Sequence, residues 1–218
     1  MNKILLLGAT GRTGSKLLEL ALSGGYFVRC LVRDPSRIST TDDRLEVIAG
    51  NPVHVEQLSS AMQGMDAVIG LLNISRKNDF PWSPLRTPER YLSEVMEKVI
   101  DLAPQHSVQR LIICSAWGTA DTRPHIPGWF RWFIDNSNIG VAYRDHERQE
   151  QLIMNSDLDW TIVRPVGLTN ASWPQQVITS YDNHPKPKLT ISRKSVAAYM
   201  LNALENKELI GKAPTISA

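Results

Sequence analysis

MNKILLLGATGRTG, residues 1–14, decides how this chain folds. Four apolar residues, Ile4, Leu5, Leu6 and Leu7, end at Gly8, and glycines return at Gly11 and Gly14. Leu17, Leu18, Ala21 and Leu22 then recur at helical spacing. The pattern predicts a buried strand, a glycine turn and an amphipathic helix.

In that arrangement each glycine has its own physical task. Gly8 permits a tight turn out of the strand, Gly11 lets the backbone approach a pyrophosphate, and Gly14 lets the helix lie close to the strand. Phosphates would then meet the positive helix N-terminus, around Thr10, Arg12 and Thr13. Glycines also mark ordinary turns, so context decides. Here a strand precedes, a helix follows, and a second strand is expected at Phe27–Val32, the context of a dinucleotide site. Arg33 follows that second strand, and a guanidinium there suits the 2′-phosphate of NADP(H). Arg12 could add a second planar donor set. NADP(H) is therefore the expected cofactor, while Asp34, next in the chain, keeps NAD(H) as an option through the ribose 2′-hydroxyl.

The 218 residues suit one domain over 1–218, and the net charge of +2, from 24 Lys plus Arg against 22 Asp plus Glu, gives no electrostatic grip on nucleic acid or membrane. The N-terminal apolar run is too short for a signal peptide and no later run approaches membrane-spanning length, so a cytoplasmic location is expected. Cys30 and Cys114 fall inside expected strands and read as small core residues. The five histidines are scattered and no CxxC or HExxH spacing occurs, so no metal site is expected.

Further strands are expected at Leu45–Ala49, 66–72, 111–114 and 159–164, the last stopped by Pro165. Helices are expected at about 53–62, after Thr87-Pro88-Glu89, at 143–155 and at 194–205. Residues 75–87 form a long connection, 117–138 read as irregular and aromatic, and a segment bearing Pro165, Pro174, Pro185 and Pro187 leads to a short strand near Leu189. Alternating strands and helices predict an α/β fold. It is a Rossmann fold with a doubly wound, mainly parallel sheet in the order 3-2-1-4-5-6, and a small C-terminal lobe on the substrate side. Ligands of such a sheet sit beyond the carboxyl ends of its strands. Gly8–Gly14, Arg33, Asn51, Asn73, Ser115 and Arg164-Pro165 should therefore surround one crevice, with substrate-side segments at about 75–90, 117–138 and 166–190.

The glycine loop, Leu31-Val32-Arg33-Asp34-Pro35, Ser115 after strand five, and Asp159-Trp160-Thr161-Ile162-Val163-Arg164-Pro165 together resemble the atypical short-chain dehydrogenase/reductases. Within these the chain is similar to the NmrA-like branch and to small flavin or biliverdin-IXβ reductases. The resemblance runs from Met1 to about Glu205. It implies a pyrophosphate on Gly8, Gly11, Arg12, Thr13 and Gly14, and a 2′-phosphate on Arg33. It further implies an adenine edge near Asn51, a nicotinamide ribose flanked by Leu72 and Asn73, an active-site hydroxyl at Ser115, and a nicotinamide pocket lined by Pro165 and Val166.

One departure is informative. Relatives that interconvert alcohols and ketones use Tyr-x-x-x-Lys, in which the cation lowers the tyrosine pKa. Here Tyr143 is followed four residues later by Glu147, whose charge would oppose tyrosine ionisation. Hydride delivery to a flat conjugated acceptor (a flavin, a quinone or a tetrapyrrole) needs no such base, and Trp117, Trp129 and Trp132, with Phe130 and Phe133, could stack against it. These aromatics read equally well as local core or as a contact between copies. His125 and His146 offer themselves as proton donors, although an isolated histidine is commonly structural. Two other readings stay open: an NADP(H)-binding sensor of the NmrA kind, and, less in keeping with the chain's length, a sugar-nucleotide epimerase or dehydratase. The sequence does not decide between a monomer and a homo-oligomer.

Overall fold

The computed structural model describes residues 3–171 and 176–218. Pro174, in the expected 166–190 segment, lies outside the described residues. The first strand, β1 (Lys3–Leu7), buries Ile4, Leu5, Leu6 and Leu7 completely, because both of its faces are covered. The chain continues through α1 (Gly14–Ser23), β2 (Phe27–Val32), β3 (Leu45–Ala49), α2 (Val55–Met62), β4 (Ala67–Gly70), α3 (Tyr91–Leu102) and β5 (Arg110–Cys114). Then come α4 (Gly128–Asp135), α5 (Ile139–Met154), β6 (Asp159–Pro165), β7 (Gly167–Thr169), β8 (Ile178–Ser180), β9 (Thr190–Ser192), α6 (Arg193–Asn202) and β10 (Thr215–Ser217).

Among the described residues the main sheet runs β3-β2-β1-β4-β5-β6-β10-β8. The expected order 3-2-1-4-5-6 is present, and neighbouring strands within it are parallel. The sheet then extends by two three-residue strands: β10 parallel to β6, and β8 antiparallel to β10. Pro165 does not stop β6 as expected; it is that strand's last residue and pairs with Ile216. A small separate sheet pairs β7 with β9.

The period-two alternation of the strands divides the interior into two layers. Ile4, Leu6, Ile69 and Ile112 pack with Leu17, Leu18 and Ala21 of α1 and with Val196 and Met200 of α6. Leu5, Leu7, Val68 and Ile113 pack instead with Leu58 of α2, Val95 and Met96 of α3, and Ala142 and Ile153 of α5. Each such side chain contributes about 1.5–3 kcal/mol relative to exposure. Arg110 at the start of β5 is also buried. Its guanidinium is satisfied by the Asp159 and Ala203 carbonyls and the Thr161 hydroxyl, placing a cation at the C-terminal end of α6.

The 117–138 segment is not irregular throughout. It contains α4, which buries Ile134 on one side and leaves Trp129 and Trp132 exposed on the other. Helix α5 begins at Ile139, four residues before the expected start, which lengthens the surface it presents to α3 and the sheet.

Candidate active site

The glycine loop follows from backbone crowding. Gly8 has φ +92°, and an added Cβ there would lie 2.6 Å from the Leu71 carbonyl oxygen at the end of β4. At Gly14 an added Cβ would lie 2.1 Å from the Gly8 carbonyl oxygen, so only glycine lets α1 start this close to β1. Gly11 is exposed and its added Cβ would meet only the Gly8 carbonyl oxygen, at 3.2 Å, which leaves its outer side open to a ligand. Its N–H donates to the Gly8 oxygen at 3.0 Å, closing the turn. The first turn of α1 carries no acidic side chain and no side-chain cap on its N–H groups, a surface that fits a pyrophosphate.

At the far end of β2, Arg33 is exposed and Asp34 is engaged elsewhere. The Asp34 carboxylate accepts from the Ser36 N–H at 3.1 Å and the Ser36 hydroxyl at 2.6 Å, capping a single 3₁₀ turn at Pro35–Arg37. That use competes with any hydrogen bond to a ribose hydroxyl. Arg37, which sequence reasoning missed, donates to the Thr10 carbonyl at 3.4 Å and adds a guanidinium beside the loop. Burial raises the Tyr91 pKa while the neighbouring Arg33 charge pulls it down. The Tyr91 hydroxyl donates to Asn51 Oδ1 at 3.2 Å. Arg33, Tyr91 and Asn51 thus collect at the β2–β3 end of the crevice. Asn51 also has a local task, since its Oδ1 accepts from the Val53 N–H at 3.4 Å ahead of α2.

Across the sheet, Leu72 is half-buried and Asn73 exposed just after β4. Ser115 follows β5, is 5% exposed, and donates its N–H to Val163 at 2.8 Å. Its Oγ has no hydrogen-bond partner among the described residues. By strand alternation it faces the α5 side of the sheet, with Leu111 and Ile113. A buried hydroxyl without a partner is costly, and a ligand or ordered water would relieve that cost.

Tyr143 lies on α5, donates to the Trp117 carbonyl at 3.3 Å, and meets Phe130 edge-on at 6.2 Å. Its pKa is pushed up strongly by burial, with Arg123 opposing. The leading cause is therefore burial, where the residue pattern points to the charge of Glu147. His146, one turn further along, is buried and its pKa is lowered chiefly by desolvation, against the pull of Glu150 and Asp145. It is neutral at pH 7, with Nδ1 lacking a partner among the described residues. Burial pushes the Cys114 thiol beside Ser115 up to about 12.

Two further expectations need correcting. Arg164 does not reach into the crevice; its side chain turns onto α5, where it pairs with Glu150 at 2.7 and 3.1 Å, and both side chains are at most 3% exposed. Asp121 also meets this guanidinium, at 2.9 Å, and Thr119 donates to Glu150 at 3.0 Å. Arg164 therefore clamps α5 to β6. A cavity of about 180 Å³ beside it, lined by Ser180 and Thr215 among others, lies off the glycine loop. Trp117, expected to stack on an acceptor, is 7% exposed and belongs to the core, as does Val166. Pro165 is likewise buried, its carbonyl accepting from the Trp117 N–H at 3.0 Å.

The exposed aromatics form a different group. Phe80 and Trp82 sit at the tip of a hairpin-like loop closed by the Arg76–Leu85 bridge, and Phe80, Trp82, Phe133 and Trp132 follow one another at 5.3–6.1 Å between ring centres. Trp82 Nε1 donates to the Asn136 carbonyl at 2.6 Å, joining the loop to the end of α4. Among the described residues no group of side chains could hold a metal ion, and no helix is long and apolar enough to cross a membrane.

A parallel sheet in this order, with a glycine turn at the first strand, defines a Rossmann dinucleotide-binding protein. The chain belongs to the NAD(P)H-binding family, whose profile matches residues 8–207. It is 27% identical over 246 aligned positions to sanguinarine reductase of Eschscholzia californica, covering 96% of this chain and 86% of that protein. Its fold matches the anaerobilin reductase ChuY of Escherichia coli O157:H7 with a TM-score of 0.79, at 19% identity, covering 99% of this chain and 97% of that one. A short-chain dehydrogenase/reductase of Veillonella parvula in complex with NADP matches at 0.77 and 18% identity, covering 100% and 94%. The last two likenesses concern the fold.

Proposed function

We propose that the protein is an NADPH-dependent reductase that delivers hydride to a flat conjugated acceptor such as a flavin or quinone, without a tyrosine acid–base pair. The observation that carries this reading is the state of Tyr143: its hydroxyl is committed to the Trp117 carbonyl, burial holds it protonated, and Glu147 stands where a lysine would lower its pKa. Bound NADPH would supply the hydride. Gly8, Thr10, Gly11, Arg12, Thr13 and Gly14 hold its pyrophosphate; Arg33, supported by Arg37, takes the 2′-phosphate; Asn51 borders the adenine. Leu72, Asn73, Pro165 and Val166 shape the nicotinamide side, and Ser115 offers its free hydroxyl there. Positioning then does most of the catalytic work, and the reduced acceptor takes its proton from water. Trp129 and Trp132 offer stacking surface, a role that Trp117 cannot share from the core.

A relative named for the reduction of sanguinarine supports the class of reaction. The engagement of Asp34 with Ser36 supports NADPH over NADH. One domain and a cytoplasmic location belong to the same proposal; the two free thiols suit a reducing compartment.

The test is to titrate the protein with NADPH and NADH by nicotinamide fluorescence, then add FMN and a quinone while following absorbance. Tighter NADPH binding and steady oxidation are expected, with Arg33→Ala losing the preference by about tenfold. Binding with no oxidation by any acceptor would overturn the reductase reading in favour of a sensor. A preference for NADPH that survives Arg33→Ala would overturn the phosphate assignment.

A further inference from the structure

We infer that the cavity beside Arg164 is a binding site for a small primary amine, whose ammonium is taken by Asp121, Asp182 and the buried hydroxyl of Ser180. None of the residues lining it belongs to the proposed nicotinamide site.

The floor of the cavity is a row across three neighbouring strands. Arg164 of β6 pairs with Thr215 of β10, and Thr215 pairs with Ser180 of β8, so the three side chains share one face of the sheet. Helix α5 covers the Arg164 end through Glu150 and stops at Met154, on the cavity wall. About 180 Å³ is left open there, against about 10–15 Å³ needed for a single water. Ser180 is 1% exposed, and its Oγ has no hydrogen-bond partner among the described residues. A buried hydroxyl in that state is costly until a partner arrives. Thr122, also on the wall, is already committed: its hydroxyl accepts from the Gly118 N–H at 2.8 Å and donates to the Thr119 carbonyl at 2.7 Å.

Charge decides which partner fits. Glu150 already neutralises Arg164, so Asp121, which meets the same guanidinium at 2.9 Å, leaves one negative charge in excess. Asp182 adds a second. It is exposed, without an ion-pair partner among the described residues, at the tip of a Tyr181–His184 turn closed by main-chain hydrogen bonds of 3.0 and 2.8 Å. An anion in the cavity would face both carboxylates. A metal ion finds no ligand set, since no group of described side chains could hold one. A primary ammonium has three N–H donors and no acceptor, which matches two carboxylates and a hydroxyl lone pair. Tyr181 and Met154 wall the space for a short carbon chain.

The test is a titration of the full chain with ethanolamine at fixed ionic strength, followed by backbone amide NMR shifts. Saturable shifts centred on Asp121, 180–182 and Thr215 are expected. Tetramethylammonium, which has the charge but no N–H, should bind at least tenfold more weakly, and acetate should not bind. Ser180→Ala should weaken ethanolamine by about tenfold while leaving the thermal midpoint unchanged or raising it by about 2–4 °C, because an unpartnered buried hydroxyl is removed. Asp182→Asn should weaken it by about two- to fivefold. Asp182 has φ +49°, a conformation that asparagine accepts, so this variant keeps the fold and decides alone if Ser180→Ala does not. No saturable shift, equal binding of tetramethylammonium or acetate, or a lowered midpoint in Ser180→Ala with affinity unmoved would overturn the site. N-acetyl-lysine amide should bind no more tightly than ethanolamine; tighter binding would assign the cavity to a lysine of a protein partner and overturn the small amine as its occupant.

Discussion

The two ends of the crevice are built by different means. At the glycine loop the main chain does almost everything: Gly8 turns at φ +92°, Gly14 admits α1 against β1, and the first turn of α1 is left open. At the Ser115–Tyr143 end, side chains from β5, α4, α5 and β6 do the work. Tyr143 is tied to Trp117, Ser115 is left without a partner among the described residues, and the whole is braced by the buried Arg164–Glu150 pair. A backbone cradle tolerates few changes at its glycines, whereas a surface of side chains can be altered one contact at a time. The first suits a common cofactor and the second a variable acceptor.

The largest effect should come from breaking the brace. Glu150→Ala leaves the Arg164 guanidinium buried with only the exposed Asp121 beside it, and should cost about 3–5 kcal/mol in urea unfolding. A cost below about 1 kcal/mol would show that the Ser115–Tyr143 end does not depend on that pair. Gly14→Ala attacks the other end. It forces a Cβ to within 2.1 Å of the Gly8 carbonyl oxygen, with an expected cost of about 1–3 kcal/mol and loss of NADPH affinity. If affinity survives, the loop is less constrained than the contact implies.

A smaller effect comes from pH. His146 binds its proton less readily in the folded chain than at its ordinary value of 6.5, so the unfolded state takes up protons first as pH falls. Stability should be unaffected above about pH 6.5 and decline below it. His146→Gln should flatten that part of the profile measured by thermal unfolding, and an identical slope in the variant would assign the acid sensitivity to other groups.

The same contrast explains what was legible in the sequence. The glycine loop and the order of the first six strands are written locally, in glycine spacing and in apolar runs such as Ile4 to Leu7. Strands β8 and β10 are three residues each, too short for alternation to register. Helix α4 reads as irregular because it is only eight residues long and the aromatic arc of Trp129, Phe130, Trp132 and Phe133 leaves its two tryptophans exposed instead of marking a buried stripe. The Arg164–Glu150 clamp joins two elements through side-chain direction, which spacing does not reveal, and it takes Arg164 away from the crevice that its strand position suggests. The altered Tyr143 pair was visible as a residue change. Its physical cause was not, because burial is a property of packing.

The most direct test of the central claim is steady-state NADPH oxidation by Tyr143→Phe with FMN or a quinone as acceptor. The variant loses only a hydrogen bond to the Trp117 carbonyl, so kcat should stay within about threefold of the wild type, with a flat pH profile through the neutral range. Loss of nearly all activity would contradict the account and restore Tyr143 as the acid of the reaction.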